Sequence, residues 1–497
     1  MKALTALLAF ALPTAAFPSS LSQQAILGNV GNGLEAYQKQ YIAQNNMNYE
    51  LVSHSSFNDH RLRIVEPKLC DPSVQQYSGY LDISETKHLF FWFFESRKSP
   101  STAPLILWLN GGPGGSSLLG MLMELGPCWI TDKGKNTTYN PHSWNTEANI
   151  IFLDQPVQVG FSYDDHNRNT VNTSAVGAQD VYAFFQLFYH RFPEYSTLPL
   201  HIAGESYGGV YVPNIANVVY QHNKDVAVGL RHINLASVIL ANALSDPKIQ
   251  YESIFDYACG GGAPYRVFDP EGELCASLRT PTDICVHLIK ACYNAPSRLT
   301  CEPASVYCNT QLMEPLGLSG YNPYDIRKLC QPEVDGPLCY DESVWIDKWM
   351  NMPANKIALG VPPERNFTAV NMAINHDFLA TGEMAFDTKA LLPELVNDGI
   401  RLLVYAGDCD TMCTNYIGKE RWVEALNTKF HNEFSKAKLL PWYDSATGRH
   451  AGEVRSAGTA GNLTYVRIYD AGHMAPYDQP EALLDLITRW LREIPFA

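Results

Sequence analysis

The chain lacks several features that would place it in other classes of protein. After its first residues it has no run of about 18 apolar residues, the length that a membrane-spanning helix needs. It also lacks an excess of basic residues: 36 Lys and Arg face 51 Asp and Glu, a formal net charge of −15. That charge disfavours binding to nucleic acids and to anionic membrane surfaces. With no Pro/Ser-rich linker and no internal repeat, the sequence predicts one large domain with an insertion.

The first residues have the pattern of a secretory signal peptide. A lysine follows Met1, the apolar stretch 3–12 comes next, and small residues lead to a predicted cleavage site after Ala16. Residues 17–65 are polar, have no clear period and are interpreted as an N-terminal segment and a candidate propeptide. The main domain is then expected at 66–497. The C-terminal residues match no lipid-anchor or retention signal.

Glycosylation acceptors and cysteines agree with an oxidising compartment. N-x-S/T acceptors occur at Asn136, Asn172, Asn366 and Asn462. Twelve cysteines include four with gaps of 7, 9 and 7, which suit nested bridges. A zinc site is the alternative, but no C-x-x-C pair or paired histidines accompany this group. The nested pairs would be Cys285–Cys308 around Cys292–Cys301.

Apolar runs along the chain predict an α/β protein. Residues 77–82 and 88–94 read as hairpin strands, and six later apolar runs of the buried-strand kind alternate in part with helical stretches. This alternation predicts a mostly parallel central sheet flanked by helices. The segment from about 245 to 358 breaks the pattern and carries eight of the twelve cysteines. It is interpreted as a disulfide-rich inserted cap over the carboxyl edge of the sheet.

The segment Gly204-Glu205-Ser206-Tyr207-Gly208 follows one of the apolar runs and precedes a helical stretch. This G-x-S-x-G pattern is that of a nucleophile elbow, in which the glycines allow a turn tight enough to expose the Ser206 hydroxyl. Because the pattern also arises by chance, it needs partners elsewhere in the chain.

Suitable partners follow two later predicted strands. Asp408 and Asp410 come after one strand and His473 after another, in the order serine, acid, histidine that an α/β-hydrolase fold requires. The aspartates could instead satisfy their own turn, and the histidine could be structural. Their joint occurrence in this order favours acyl-transfer chemistry.

The same chemistry needs two backbone N–H groups that bind an oxyanion. One belongs to the residue after the nucleophile, Tyr207, and the other is expected from the glycine-rich loop at 110–117. A phosphate-binding loop is the alternative, but the lysine that such a loop carries is missing.

Five sequence blocks together resemble the serine carboxypeptidase family. They are NGGPGGSS, DQPVQVGFSY, GESYGG, GDCD and GHMAPYDQP, and they occur in this order between Tyr77 and Pro480. The resemblance implies Ser206 as nucleophile, His473 as general base and Asp410, rather than Asp408, as the third member. It implies that Gly112 and Tyr207 donate the oxyanion N–H groups. The positions that hold the free carboxylate of a peptide would be Asn110, Gly111, Glu124 and Glu205.

The carboxylate-binding set carries a physical consequence. Glu124 and Glu205 can receive an anion only if at least one carboxyl is protonated, since neighbouring carboxylates raise each other's pKa. We therefore predict best activity at acid pH, with KM rising as the pair ionises.

The resemblance also assigns the pocket that surrounds the substrate side chains. Apolar residues match these positions, so hydrophobic C-terminal residues should be preferred. Leu119, Met123 and Met474 would surround the C-terminal side chain, Met412 would lie near the preceding one, and Cys413 would line the pocket.

Some cysteines depart from the family pattern. Most relatives have a bridged cysteine where Gly115 stands, and no cysteine occurs near Asn366, where its partner would fall. Cys409 and Cys413 either bridge each other or both stay reduced. Cys70 and Cys128 have no family partners, and one hypothesis is that they bond each other in place of the lost bridge. The remaining expected pairs are Cys259–Cys275 and Cys330–Cys339.

The sequence therefore predicts a serine carboxypeptidase that releases C-terminal amino acids from peptides and proteins through an acyl-enzyme. No metal and no organic cofactor is implied, and neither nucleic acid nor membrane is an expected partner. The expected form is a monomer or homodimer, secreted or vacuolar/lysosomal. An acyltransferase or esterase on the same scaffold is the nearest alternative, and a non-catalytic protective binding protein is the other.

Overall fold

The computed structural model describes residues 34, 36–44, 47–166 and 173–496. The predicted signal peptide, the part of the 17–65 segment before residue 34 and the glycosylation acceptor at Asn172 lie outside these ranges.

The described residues form eighteen strands and fifteen α-helices. The strands are β1 (Gln40–Gln44), β2 (Met47–Ser53), β3 (Arg61–Val65), β4 (Gln76–Asp82), β5 (Lys87–Phe94), β6 (Leu105–Leu109), β7 (Cys128–Thr131), β8 (Asn136–Tyr139), β9 (Asn149–Leu153), β10 (Tyr163–Asp164), β11 (Leu200–Glu205), β12 (Leu235–Ala241), β13 (Tyr321–Asn322), β14 (Asp325–Leu329), β15 (Arg401–Gly407), β16 (Leu440–Tyr443), β17 (His450–Ala457) and β18 (Leu463–Ile468).

The helices are α1 (Ser174–Arg191), α2 (Gly208–Lys224), α3 (Pro247–Ala258), α4 (Glu273–Asn294), α5 (Arg298–Cys308), α6 (Glu314–Gly317), α7 (Pro332–Asp335), α8 (Asp341–Met350), α9 (Pro353–Ala358), α10 (Met372–Thr381), α11 (Leu392–Asn397), α12 (Tyr416–Glu424), α13 (His431–Phe434), α14 (Ala475–Asp478) and α15 (Pro480–Leu491). Two π-helical turns occur at Gly120–Glu124 and Asn309–Met313. Short 3₁₀ turns occur at Trp144–Thr146, Pro193–Tyr195, Glu383–Ala385 and Thr388–Leu391.

One large sheet organises the described residues. Its strand order is β1-β2-β3-β4-β5-β9-β6-β11-β12-β15-β18-β17-β16, and β10 pairs with β5. The strands from β9 to β18 in this order pair in parallel, whereas the strands at both flanks pair antiparallel. The predicted mostly parallel sheet is therefore confirmed at its centre.

Alternate residues of the central strands face two separate cores. In β6, Leu105, Leu107 and Leu109 pack with α1 and α2, while Ile106 and Trp108 pack with α15 on the opposite face. This period of two follows from the strand pleat. Because helices cover both faces, every residue of β6, β9, β11 and β15 is buried, which explains their continuous apolar runs.

A long insertion separates two neighbouring central strands. β12 and β15 pair in the sheet, yet residues 242–400 lie between them in sequence. This insertion contains α3 to α11 and the small β13–β14 ribbon. It extends beyond residue 358, the end predicted for the cap, because α10 and α11 also lie between β12 and β15 in the sequence. The cap boundaries themselves stay a prediction.

The predicted disulfides are confirmed. The nested pairs Cys285–Cys308 and Cys292–Cys301 join α4 to α5. Three further bridges are present, and Cys409 and Cys413 are both free. The further bridges are Cys70–Cys128, Cys259–Cys275 and Cys330–Cys339.

The N-terminal strands belong to the same sheet. β2 and β3 extend it beyond β4, and the Tyr49 hydroxyl donates a hydrogen bond of 2.8 Å to the Gly360 carbonyl. A propeptide that ended at residue 65 would therefore remove the three strands β1, β2 and β3; that boundary stays a prediction. Within the described ranges, no helix has the length and apolar content that crossing a membrane requires.

Candidate active site

Ser206 lies at a strained turn between β11 and α2. Its φ is 60°, in the left-handed region that a residue with a side chain rarely adopts. Backbone hydrogen bonds hold this geometry, since Ser206 N donates to Ala241 O and Leu244 N donates to Ser206 O. A Cβ on Gly204 would lie 2.7 Å from Val212 Cγ2, so the turn needs glycine there. The local structure at Ser206 is therefore the predicted strand–turn–helix elbow.

Asp410 and His473 meet at the carboxyl edge of the sheet. His473 Nδ1 and Asp410 Oδ2 are 2.8 Å apart, and both side chains are buried. Asn242 Nδ2 and Thr414 Oγ1 each donate to the same oxygen at 2.8 Å, and Met412 N donates to Oδ1 at 3.0 Å. Burial would raise the pKa of Asp410, but the charge of His473 and these hydrogen bonds lower it.

The other ring nitrogen of His473 is available for proton transfer. Nε2 is buried and has no hydrogen-bond partner among the described residues. His473 and Ser206 line the same cavity. The carboxylate on Nδ1 orients the ring so that Nε2 can take a proton from a nucleophile.

Asp408 makes different contacts from Asp410. Its Oδ1 accepts a hydrogen bond from Asp470 N at 3.0 Å, and its Oδ2 lies 3.5 Å from Arg467 Nη2. These contacts tie the turn after β15 to the turn after β18. The structure therefore places Asp410, and not Asp408, against His473.

The glycine-rich loop runs directly against the elbow. A Cβ on Gly111 would lie 2.2 Å from Tyr207 N, so only glycine lets the loop come this close. Tyr207 is the N-cap of α2, and the first N–H groups of a helix have no partner within it. Gly112 has a φ of 111°. The two predicted oxyanion donors, Gly112 and Tyr207, therefore both line the cavity beside Ser206.

The loop is fixed although Gly115 stands where the family resemblance implies a bridged cysteine. Gly115 forms a β-bridge with Val370, and the neighbouring Ser116 N donates to Ala369 O at 2.9 Å. Ser116 Oγ also donates to the buried Asp154 at 2.5 Å. Burial raises the pKa of Asp154 to about 7, although its hydrogen bonds oppose the shift.

Asn110, Glu124 and Glu205 form one buried polar cluster next to Ser206. Asn110 Nδ2 donates to Glu124 Oε1 and to Glu205 Oε1, each at 3.2 Å. Asn110 Oδ1 accepts from Trp108 Nε1 and from Gly120 N, which fixes the amide orientation. Together with Gly111, these are the residues that the sequence predicts to bind a substrate carboxylate.

The two carboxyl groups of this cluster interact with each other. Burial raises the pKa of Glu124, against hydrogen bonds from Glu205 and Asn110. Burial, the charge of Glu124 and a hydrogen bond to Glu124 raise the pKa of Glu205 well above its usual value. Two neighbouring buried carboxyl groups cannot readily both ionise, so the pair shares a proton.

Two adjacent cavities meet at Ser206. The first, of about 190 Å³, contains Asn110, Glu205 and His473 in its lining. The second, of about 420 Å³, is lined by Tyr207 and by several methionines. Both also include Tyr324, whose ring lies 5.3 Å from that of His473. A peptide that crosses Ser206 would therefore have one residue in each cavity.

The predicted pocket residues divide between these cavities, with one exception. Leu119 and Met474 line the first, Met412 lines both and Cys413 lines the second. Met123 instead lines a third cavity, of about 320 Å³, with Leu122 and Trp129. The sequence predicted Met123 beside the C-terminal side chain of the substrate, but the structure places it outside the two cavities at Ser206.

A π-helical turn explains the placement of Glu124. Residues 120–124 have the wider turn in which Leu125 N bonds to Gly120 O. In an α-helix, residues five apart lie on different faces, but the wider turn brings Glu124 onto the face of Leu119. There Glu124 accepts a hydrogen bond from Asn110.

Sequence motifs did not identify several residues of the site. Asn242 and Thr414 bind Asp410, and Tyr324 lies on the cap ribbon beside His473. The polar residues Thr414 and Asn415 directly after Cys413 were a weak sequence signal for this contact, whereas no sequence pattern indicated Tyr324. No group of His, Cys, Asp and Glu suited to a metal ion occurs among residues for which the structure gives positions.

Comparison with known proteins identifies the family. A family model described as serine carboxypeptidase matches residues 67–493. Carboxypeptidase Y homolog A of Talaromyces stipitatus is 44% identical over 441 residues, which cover 87% of this chain and 76% of the relative. The homolog of Coccidioides posadasii is 43% identical over 438 residues, 87% of this chain and 78% of the relative.

The fold has a solved counterpart. The crystal structure of Kex1(delta)p, a prohormone-processing carboxypeptidase from Saccharomyces cerevisiae, matches with a TM-score of 0.73 at 23% identity, covering 86% of this chain and 94% of that one. This likeness supports the α/β-hydrolase fold. From the family match and the identity to its relatives, the chain belongs to the serine carboxypeptidase family.

Proposed function

We propose that this carboxypeptidase uses Ser206, His473 and Asp410 to release preferably hydrophobic C-terminal amino acids at acid pH. Ser206 Oγ attacks the last peptide carbonyl carbon and His473 Nε2 takes the hydroxyl proton. The N–H groups of Gly112 and Tyr207 bind the oxyanion.

The reaction then proceeds through an acyl-enzyme. His473 passes its proton to the departing amine, the C–N bond breaks and the terminal amino acid leaves. Water, deprotonated by His473, attacks the ester at Ser206 and releases the shortened peptide. Asp410 stabilises the imidazolium and keeps Nε2 directed at the reacting atoms.

One observation carries the choice of a carboxypeptidase: Asn110 and Glu205, which form a buried cluster with Glu124, line the cavity that contains Ser206. A protonated Glu205 and the Asn110 amide can bind a free carboxylate one residue beyond the scissile bond. An internal peptide bond has no negative charge to offer there, so the cluster favours chain ends.

The cavity walls support a hydrophobic preference. Leu119, Met412 and Met474 line the cavity that contains the carboxylate-binding cluster. One methylene in such a pocket changes specificity by only about 1–3 kcal/mol, so we expect a preference and not strict selection.

We further propose that the protein matures in the secretory pathway and acts outside the cell or in a vacuole. Five disulfides are consistent with an oxidising compartment. Three of the four glycosylation acceptors are described: Asn136 and Asn366 are exposed, and Asn462 is partly exposed. Glycopeptide mapping would show whether these asparagines carry glycans.

Release of the terminal amino acid from an N-blocked dipeptide ending in Leu or Phe tests the proposed activity. It should be measured at about pH 5 beside the same peptide with an amidated C-terminus. We expect rapid release from the free acid alone. Failure on both, with Ser206 still labelled by a phosphonate, would indicate a different acyl donor or acceptor, as in an acyltransferase or esterase. An unlabelled Ser206 would favour the binding-protein alternative.

A further inference from the structure

A buried glutamate of the insertion contacts the residue that follows the nucleophile. Glu383 is 3% exposed and begins the 3₁₀ turn Glu383–Ala385. Its Oε2 accepts a hydrogen bond from the Tyr207 hydroxyl at 2.9 Å. Ser174, the first residue of α1, donates its N–H to Oε1 and its hydroxyl to Oε2, both at 2.8 Å. Three donors therefore converge on one carboxyl group.

Tyr207 has little freedom in this environment. It is 2% exposed, and its ring packs edge-on against Tyr211 and Phe378 at 5.2 and 5.9 Å. Burial raises the pKa of its hydroxyl well above the usual value, so the hydroxyl stays protonated and donates. The same residue carries the N–H beside Ser206, so a shift of the Tyr207 backbone that followed the loss of these contacts would move that N–H.

The turn that carries Glu383 is braced by the nested disulfides. A Cβ on Gly382 would lie 2.6 Å from the carbonyl carbon of Cys301 and 2.8 Å from its Cβ. The turn therefore packs closely against α5 at Cys301. Cys301 is bonded to Cys292 on α4. A continuous set of contacts therefore joins the disulfide-bonded helices to the elbow.

We propose that Glu383 is a positioning residue for the oxyanion hole: by fixing the Tyr207 hydroxyl, it holds the Tyr207 N–H at the place where negative charge develops. This rests on the proposed role of Tyr207. Neither the elbow motif nor the glycine loop contains Glu383, so the insertion contributes to the chemical step as well as covering the cleft.

Tyr207 also lines the second cavity, which permits a competing role for Glu383 as support for a pocket wall. The two roles differ in their dependence on the penultimate substrate residue. A misplaced oxyanion donor slows every substrate equally. A displaced wall slows substrates with a large penultimate side chain and leaves those with glycine there unaffected.

The test compares Glu383→Gln, Tyr207→Phe and the double variant on two N-blocked dipeptides, one with Gly and one with Phe before the terminal Leu. Complete loss of an oxyanion donor costs about 10²–10³-fold in kcat, so displacing one should cost about tenfold. We expect each single variant to lose about tenfold in kcat on both peptides with KM within about twofold of the parent. The double variant should lose no more than the worse single one, because both changes break the same contact.

Glu95 and Tyr195 provide a matched control. The Tyr195 hydroxyl donates to Glu95 Oε1 at 2.6 Å, and Tyr195 is also 3% exposed, but neither residue lines the cavities at Ser206. Glu95→Gln and Tyr195→Phe should lower the melting temperature without changing kcat.

The rate of Ser206 labelling by diisopropyl fluorophosphate gives a second readout that needs no peptide substrate. It should fall in Glu383→Gln and Tyr207→Phe, even if the proposed carboxypeptidase substrates are not turned over. Unchanged labelling and kcat with a lower melting temperature would refute the proposal. A loss confined to the Phe peptide would also refute it and establish the wall role.

Discussion

The Glu124–Glu205 pair should make substrate binding depend on pH while leaving the chemical step unaffected. Its shared proton is present at acid pH because burial and the neighbouring charge raise the pKa of Glu205. As the pH rises through that raised pKa, the pair gains a second negative charge next to the substrate carboxylate. KM should therefore rise with pH, whereas kcat should change little on account of this pair.

The structure sets the scale of this effect. Asn110 Nδ2 lies 3.2 Å from each carboxyl, so a substrate carboxylate bound to that amide would have its charge about 4 Å from Glu205. At an effective dielectric constant of about 20, such a repulsion reaches about 4 kcal/mol, or about a thousandfold in affinity. This is the limit at full ionisation; above the pKa the rise is about tenfold per pH unit.

The assay measures kcat and KM from about pH 4 to 7 for the free-acid dipeptide in the wild type, Glu205→Gln and Glu95→Gln. The glutamine keeps an N–H donor and cannot ionise, so its KM should stay flat and fall below that of the wild type at the highest pH. Glu95→Gln, away from both cavities, should follow the wild type. A wild-type KM that stays flat, or a slope that persists in Glu205→Gln, would show that another group controls binding.

Three further outcomes are expected. Asp410→Asn should lower kcat by about 10⁴-fold with the near-UV circular dichroism spectrum unchanged, because His473 loses the carboxylate that orients its ring; a loss below tenfold would exclude Asp410 as the orienting acid. Replacing Cys70 and Cys128 by serine opens a bridge with a sequence separation of 58 residues, which should cost up to about 4 kcal/mol in the free energy of unfolding; an unchanged denaturation midpoint would contradict this. The pKa of Glu124 is raised in the folded protein, so its stabilising contribution is present below the pKa of the unfolded state and is lost as the pH rises through the folded pKa. The melting temperature of Glu124→Gln should therefore fall less than that of the wild type between about pH 5 and 7. Differential scanning calorimetry measures this difference.

Much of the catalytic arrangement follows from the sequence because of one property of parallel sheets. Ser206, Asp410 and His473 each come directly after a buried strand, and the carboxyl ends of parallel strands meet at one edge. Adjacent strands that run in the same direction therefore bring residues far apart in sequence into one cleft. The nested spacing of four cap cysteines likewise predicted the two disulfides that join α4 to α5.

Other parts of the site depend on packing that no short pattern records. Glu124 reaches Asn110 through a π-helical turn, and Met123 lines a cavity separate from those at Ser206. Glu383 lies 176 residues from Tyr207 and is brought to it only by the path of the insertion. A single glutamate in a turn has no local pattern that distinguishes it from a solvated one.

The β13–β14 ribbon of the insertion contacts the catalytic loops through three hydrogen bonds between backbone groups. Ile326 N donates to Cys409 O, Thr411 N donates to Pro323 O and His473 N donates to Tyr324 O. Such bonds do not depend on which side chains the ribbon carries. The side chains that face the substrate are therefore free to diverge while the triad stays in register.

We expect that the insertion can be exchanged as one unit, and that such an exchange changes the substrate specificity. Its two ends leave from strands that are neighbours in the sheet, and its four disulfides all close within it. A chimaera that carries a relative's insertion, with Asn242 and Glu383 retained, should keep the hydrolytic machinery and acquire the donor's substrate range.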